Sequence, residues 1–215
     1  PVIENGVRFE APAEGGQKTG WFYDHRENRR WLAPWVKGKR VLDLFCYLGG
    51  WGIQAAAFGA EEVTGVDVSA FALDGFIRNG ELNGVEGKVS AIEGNALDVV
   101  SQLAAEGERF DVVIADPPAF IKRKKDFNAG LTAYRHLNEQ ALRLVSSGGI
   151  LVSASCSMHL PQDSLQDAVR GAARHVDRHV QLLHIGGQGP DHPIHPAIPE
   201  TQYLKSLMLR VTPSL

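Results

Sequence analysis

Residues 40–52 constrain this chain more than any other stretch: Arg40-Val41-Leu42-Asp43-Leu44-Phe45-Cys46-Tyr47-Leu48-Gly49-Gly50-Trp51-Gly52. An apolar run ends in a carboxylate, passes through a glycine-rich turn and opens a helix at Ile53-Gln54-Ala55-Ala56-Ala57. That is a strand–loop–helix unit whose glycines let a small ligand approach the backbone closely. A second apolar strand then ends in Asp67 (Val63-Thr64-Gly65-Val66-Asp67), and a third in Asp116 (Val112-Val113-Ile114-Ala115-Asp116-Pro117-Pro118). A carboxylate at the tip of the second strand is where a doubly wound sheet grips ribose hydroxyls. Together these features imply an adenosine-containing cofactor with chemistry beside it.

The rest of the pattern agrees with such a sheet. Strands are predicted near 41–45, 62–67, 88–93, 110–116 and 149–155, and helices near 51–58, 70–83, 95–106, 130–146 and 162–178. Alternation of this kind predicts an α/β fold, a parallel sheet with helices on both faces. The tail departs from it. Gln181–Ile185 and Tyr203–Val211 both read as strands, joined by the proline- and histidine-rich stretch 189–199, too stiff and short for a crossover helix. An antiparallel pair at one sheet edge is expected there. At the other end, Asn5-Gly6 between alternating residues predicts a β-hairpin, and 24–36 reads as one helix closed by Gly38. The expected division is residues 1–37 as hairpin, loop and helix, and 38–215 as the main domain.

Composition excludes several classes. With 22 basic and 25 acidic residues the formal charge is -3, so nucleic-acid binding must use a local basic patch. Two cysteines, Cys46 and Cys156, make no disulfide framework and point to a reducing cytoplasm. No apolar run approaches the ~20 residues needed to span a bilayer, so no membrane partner is expected, and no signal peptide is read at the start. A chain opening at Pro1 is consistent with removal of an upstream segment.

The loop at 43–52 lacks the Gly-x-Gly-x-x-Gly spacing of nicotinamide and flavin sites, and no Gly-Lys-Ser/Thr follows it, which argues against an NTPase. Asp67 can take both ribose hydroxyls with its two oxygens; the alternative is a cap on the next helix, a role Ser69 could fill. Asn95, in Glu93-Gly94-Asn95-Ala96, could pair with an adenine edge or serve as an N-cap.

These pieces resemble the class I S-adenosylmethionine-dependent methyltransferases: 41–50, Gly65-Val66-Asp67-Val68-Ser69, Glu93-Gly94-Asn95-Ala96 and Asp116-Pro117-Pro118. The resemblance implies a Rossmann-like seven-stranded sheet with an antiparallel last strand, and S-adenosylmethionine as cofactor. It places Tyr47 and Gly49 at the methionine part, Asp67 and Val68 at the ribose, and Asn95 and Ala96 at the adenine; Asp43 joins them in the expected cofactor set. Many relatives carry Asp where this chain has Asn95.

Cys156 narrows the chemistry. In Ser153-Ala154-Ser155-Cys156-Ser157 it ends the fifth main strand, at the edge where such sheets hold ligands, beside Asp116. A lone buried cysteine is more often packing, the reading given to Cys46. A thiolate, however, can add to carbon-6 of a pyrimidine and make carbon-5 nucleophilic enough to take a methyl group. Asp116, as a carboxylic acid bonded to ring nitrogen 3 of cytosine, would then orient the base and stabilise the charge of the adduct. Gln17-Lys18-Thr19-Gly20-Trp21, with Asp24, Arg26, Asn28 and Arg29, resembles the signature of a bacterial large-subunit ribosomal-RNA 5-methylcytosine methyltransferase family. Asp116-Pro117-Pro118-Ala119-Phe120, Ser155-Cys156-Ser157 and Glu200-Thr201-Gln202-Tyr203-Leu204-Lys205 match it too. The resemblance assigns Cys156 as nucleophile and puts Gln17 and Thr19 in a loop closing on the cofactor. Members usually carry an upstream RNA-binding PUA domain, which this sequence lacks.

For RNA, ribosomal RNA first among candidates, Lys122, Arg123 and Lys124 (with Lys125) supply phosphate contacts, and Phe120 and Tyr134 a wall for a flipped base. Arg26, Arg29 and Arg30 would extend the basic surface or form surface ion pairs. A homodimer is an allowed assembly. His192 and His195 beside Asp191 lack a full metal-ligand spacing, so no metal is expected. Trp21, Trp31 and Trp35 read as anchors of the N-terminal segment. The competing functions are an amino-group methyltransferase, which Asp-Pro-Pro also suggests, and a cofactor-binding module without catalysis.

Overall fold

Asn5 and Gly6 take positive φ values of 52° and 83°, and close the hairpin of β1 (Val2–Glu4) and β2 (Val7–Phe9). This structure, a computed structural model, describes residues 1–12 and 20–214; Gln17 and Thr19 lie outside the described residues.

The segment expected as one helix over 24–36 is broken into a 3-10 turn (Tyr23–His25), α1 (Arg26–Arg30) and α2 (Ala33–Val36). The cause is Pro34: without an amide hydrogen it cannot continue α1, but it is tolerated in the first turn of α2.

From Arg40 the chain alternates as expected: β3 (Arg40–Leu44), α3 (Gly52–Ala57), β4 (Glu62–Asp67), α4 (Ala70–Leu82), β5 (Val89–Glu93), α5 (Ala96–Ala105), β6 (Phe110–Ala115), α6 (Phe127–Leu144), β7 (Val145–Ser155) and α7 (Gln162–His175). β8 (Arg178–Gly186) and β9 (Lys205–Pro213) complete a seven-stranded sheet in the order β5-β4-β3-β6-β7-β9-β8. Only β9 runs antiparallel to its neighbours, inserted between β7 and β8, with Ser155 opposite Lys205.

Side chains alternate between two cores, as the pleat requires. Leu42, Leu44, Val113 and Leu151 face α5, α6 and α7. Val41, Val63, Val112 and Val152 face α3, α4 and the N-terminal segment, where Phe9, Trp21, Leu32 and Val36 are buried. The N-terminal segment thus belongs to the second core. No helix among the described residues is long and apolar enough to cross a membrane.

Candidate active site

The tips of β3, β4, β6 and β7 end at one edge, and a cavity of about 920 Å³ opens there. Its sheet-side wall contains Phe45, Cys46, Tyr47, Asp67, Val68, Asp116 and Cys156. The opposite wall comes from Trp21, Phe22, Asp24, His25 and Arg29, with Tyr203 and Leu204 from the segment before β9.

The loop after β3 is bent by backbone that L residues avoid: Phe45 and Tyr47 have φ of 61° and 49°, each costing roughly 1–3 kcal/mol. The bend aims the Tyr47 N–H at Asp67 Oδ2 (3.0 Å), while Asp67 Oδ1 accepts from Ser69 N (3.0 Å). Ser69 itself caps α4 through Ala72 N, so Asp67 is spared that duty and its remaining lone pairs face the cavity. Gly50 is required for packing: a Cβ there would lie 2.8 Å from the Arg29 guanidinium carbon.

Other sequence-assigned cofactor residues sit elsewhere. Asp43 has no exposed surface and lies behind the loop, its Oδ2 accepting from Gly52 N (2.8 Å) and its Oδ1 without a partner. Burial, chiefly, raises its pKa to about 8. Gly49 is buried behind Ile53 and Phe76. Asn95 takes the N-cap alternative, its side chain accepting from Leu97 N (3.0 Å); it is exposed, and neither it nor buried Ala96 lines the cavity.

Asp116 is fixed from two sides. Trp51 Nε1 donates to Oδ2 (3.0 Å), and His25 Nε2 stands 3.3 Å from Oδ1. Asn28 donates one amide hydrogen to the Gly187 carbonyl (3.0 Å), which turns its amide nitrogen toward His25 Nδ1 (3.1 Å). Nδ1 therefore accepts and Nε2 carries the proton aimed at Asp116. Burial pushes the Asp116 pKa up, but His25, the Trp51 indole and Arg29 outweigh it and hold the carboxyl below its usual range. Asp116 is an ionised acceptor, not the proton-bearing acid that base orientation through a ring nitrogen would need.

Cys156 lines the same cavity, partly exposed, and both cysteines are free thiols. Burial first, then the charges of Asp116 and Asp24, raise its pKa to about 11; Lys205 opposes them. Cys46 is 4% exposed and packs under the loop.

The substrate-side expectations fare unevenly. Lys122, Arg123 and Lys124 are exposed after the Asp116 loop, with Arg123 paired to Asp126 (2.9 Å). Tyr134 is 1% exposed and its hydroxyl bonds Ser155 and Ser157, so it cannot stack on a base; Phe120 packs on it at 4.7 Å, off the cavity wall. Phe22, Phe45, Trp51, Phe71 and Tyr203 provide the aromatic lining instead. Arg29 is no surface cation: 4% exposed, it pairs with buried Glu4 (2.8 Å). Trp21 anchors the segment as expected, donating to Glu4 (3.0 Å), whereas Trp31 is 49% exposed and stacked on His184.

His25 and Trp51 escaped sequence reasoning. Trp51 sits directly after Gly49-Gly50, a signal that was available; His25 meets Asp116 across ninety intervening residues and gives no local signal.

A family model described as "S-adenosylmethionine-dependent methyltransferase" matches residues 1–210. A "Ribosomal RNA large subunit methyltransferase I" of Shewanella denitrificans is 40% identical over 214 residues, which cover 98% of this chain and 54% of that protein. Its namesake in Aeromonas salmonicida is 38% identical over 213 residues, again 98% and 54%. The chain spans about half the length of the curated relatives it matches. Among solved structures, a candidate methyltransferase complexed with SAH superposes with a TM-score of 0.86 at 22% identity, over 96% of this chain and 54% of that one.

Proposed function

The chain belongs to the S-adenosylmethionine-dependent methyltransferase family, and on that premise we propose that it methylates carbon-5 of a cytosine in RNA, with ribosomal RNA as the substrate class. The observation that carries this reading is the shared cavity of a partly exposed thiol, Cys156, and an ionised carboxylate, Asp116, beside the loop of Tyr47 and Asp67.

The residues present suit the cofactor. The cavity has the size of a cofactor site, Asp67 offers free lone pairs for the ribose hydroxyls, and Tyr47 with Phe71 offers apolar contact. S-adenosylmethionine supplies an electrophilic methyl group on a sulfonium. Cys156 Sγ adds to carbon-6 of the flipped base, and the electron pair moves to carbon-5, which takes up the methyl. Removal of the carbon-5 proton by base then expels the thiolate and restores the ring. Asp116, ionised, accepts from the exocyclic amino group of cytosine; uracil presents a carbonyl there and would be repelled. The N-terminal wall, Trp21 to Arg29, excludes water from the reacting atoms. The names of the relatives and the exposed basic run 122–125 support RNA; a reducing cytoplasm suits the free thiol.

A second reading, methylation of an amino nitrogen, is favoured by the same ionised Asp116 followed by Pro117-Pro118. Incubation with ribosomal RNA and methyl-labelled S-adenosylmethionine separates the two. Carbon methylation requires that Cys156→Ala lower turnover by about a thousandfold or more, with label on carbon-5 in the wild type. Label on nitrogen, undiminished in Cys156→Ala, selects the second reading.

A further inference from the structure

Lys205 is a buried cation that the reaction above leaves unused. It is 4% exposed, and its ammonium donates to the Ser157 carbonyl (2.5 Å) and the Tyr203 carbonyl (2.7 Å). One carbonyl belongs to the residue after Cys156; the other lies on the segment leading into β9, whose Tyr203 lines the same cavity as Cys156. Ser155, the residue before Cys156, sits opposite Lys205 in the sheet. A buried lysine is costly unless its charge has a use. The Ser155 and Ser157 hydroxyls are already satisfied by Tyr134, and Lys205 takes no part in the 12 ion pairs found among the described residues, so no carboxylate among those residues offsets its burial.

We propose that Lys205 is a positioning residue for Cys156: its ammonium ties the residue after the thiol to the segment leading into β9 and supplies the positive charge against which the thiolate forms. The inference rests on the reading of Cys156 as nucleophile. The groups facing the sulfur fix the sign of the effect. Asp116 at the tip of β6 and Asp24 on the N-terminal 3-10 turn oppose ionisation, and Lys205 on β9 favours it. Tyr134 on α6 and Tyr203 before β9 are both held above the ordinary phenol range, burial first and the Cys156 charge among the lesser causes, so neither adds a second anion. Burial lowers Lys205 itself to about 8, against which the Cys156 charge works; it remains cationic through neutral pH. When the thiol ionises, its proton leaves to water and the electron pair stays on Sγ for attack on carbon-6. Below about pH 8 Lys205 keeps its protons while the thiol ionises.

The test needs no RNA. Alkylation of Cys156 by iodoacetamide is followed from pH 6 to 10 by peptide mass spectrometry, which separates it from Cys46. In Lys205→Met the rate at pH 7, where the wild-type lysine carries its charge, should fall about tenfold, the difference closing toward pH 9 as that lysine becomes neutral, while SAH binding stays at the wild-type value. Lys205→Arg, a cation that cannot lose its proton in this range, should react at least as fast as wild type at pH 8 and faster at pH 9, where Lys205 has become neutral. An unshifted profile in folded Lys205→Met overturns the proposal. Should that variant fail to fold, superimposable wild-type and Lys205→Arg profiles overturn it instead. A lysine-dependent profile accompanied by nitrogen methylation of RNA would retire the carbon-5 reading and leave the Lys205–Cys156 coupling intact.

Discussion

The two walls of the cavity are built on opposite principles. The sheet-side wall is made of strand tips, and its polar groups are held by backbone amides: Asp67 by Tyr47 N and Ser69 N. The N-terminal wall has little regular structure. It is held by side chains reaching far along the sequence, with buried Glu4 as hub for Arg29, Trp21 and Gln54. Backbone fixes the first wall whatever the side chains do, whereas the second stands or falls with a few polar contacts. Asp116 lies at the seam, since it ends a strand tip but is gripped by His25 from the other wall.

The largest effect that would test this contrast is on stability. Arg29→Ala leaves Glu4 buried without its cation and should cost about 3–5 kcal/mol, read as a lower urea midpoint. Gly50→Ala, which forces the Arg29 guanidinium aside, should show the same sign with a smaller shift. If Arg29→Ala unfolds at the wild-type midpoint, the N-terminal wall is not held as described. Next comes turnover: Asp116→Asn removes the acceptor charge at the seam and should lower kcat about a hundredfold with SAH affinity nearly kept. His25→Gln, which can still donate, should cost about tenfold or less, and His25→Phe more. A His25→Phe enzyme with unchanged kcat would mean that the seam needs one wall only.

Two carboxylates, Asp43 and Asp116, make a subtler test because they respond to pH with opposite signs. Asp43 has a folded-state pKa of about 8, above its unfolded value, so its contribution to stability is full below about pH 4 and is lost as pH rises through about 8. Asp116 is held below its unfolded value, so its contribution is present above about pH 4 and is lost as pH falls through the depressed value. Urea unfolding across pH should therefore show Asp43→Asn flattening the fall between about pH 4 and about pH 8, and Asp116→Asn the rise below about pH 4. Both variants flattening the same side would contradict the assignment. Smallest is the basic run: Lys122→Ala with Lys124→Ala should weaken RNA binding severalfold at low salt and reduce the salt slope by about two, leaving SAH binding alone.

The contrast also explains what the sequence disclosed. The alternation of strands and helices and the antiparallel tail followed from periodicity, and Asp67, Asp116 and Cys156 at the cavity from the rule that ligands sit at strand tips; Tyr47 came from the family resemblance. Asp43 and Asn95 carry the right residue types at the right tips, but pattern does not say which way a side chain points. Asp43 faces inward, and Asn95 spends its oxygen on Leu97 N. Arg29 looked like a surface cation because its partner Glu4 is 25 residues away, across segments joined by no periodic signal. His25, Asn28 and Gly187 meet only once β8 has delivered Gly187 to the N-terminal segment. Local propensity carries no trace of such meetings.

The threading of β9 has a consequence for biosynthesis. β8 pairs with no other strand of the sheet, so the earlier-made strand waits unpaired until the later one slides into the gap beside β7. That same insertion sets Lys205 opposite Ser155, the residue before Cys156. A nascent chain halted before residue 205 would hold the loop after β3 and the Cys156 sulfhydryl but not yet the Lys205 ammonium, so on the reading proposed above the thiol would be armed only as the sheet is completed.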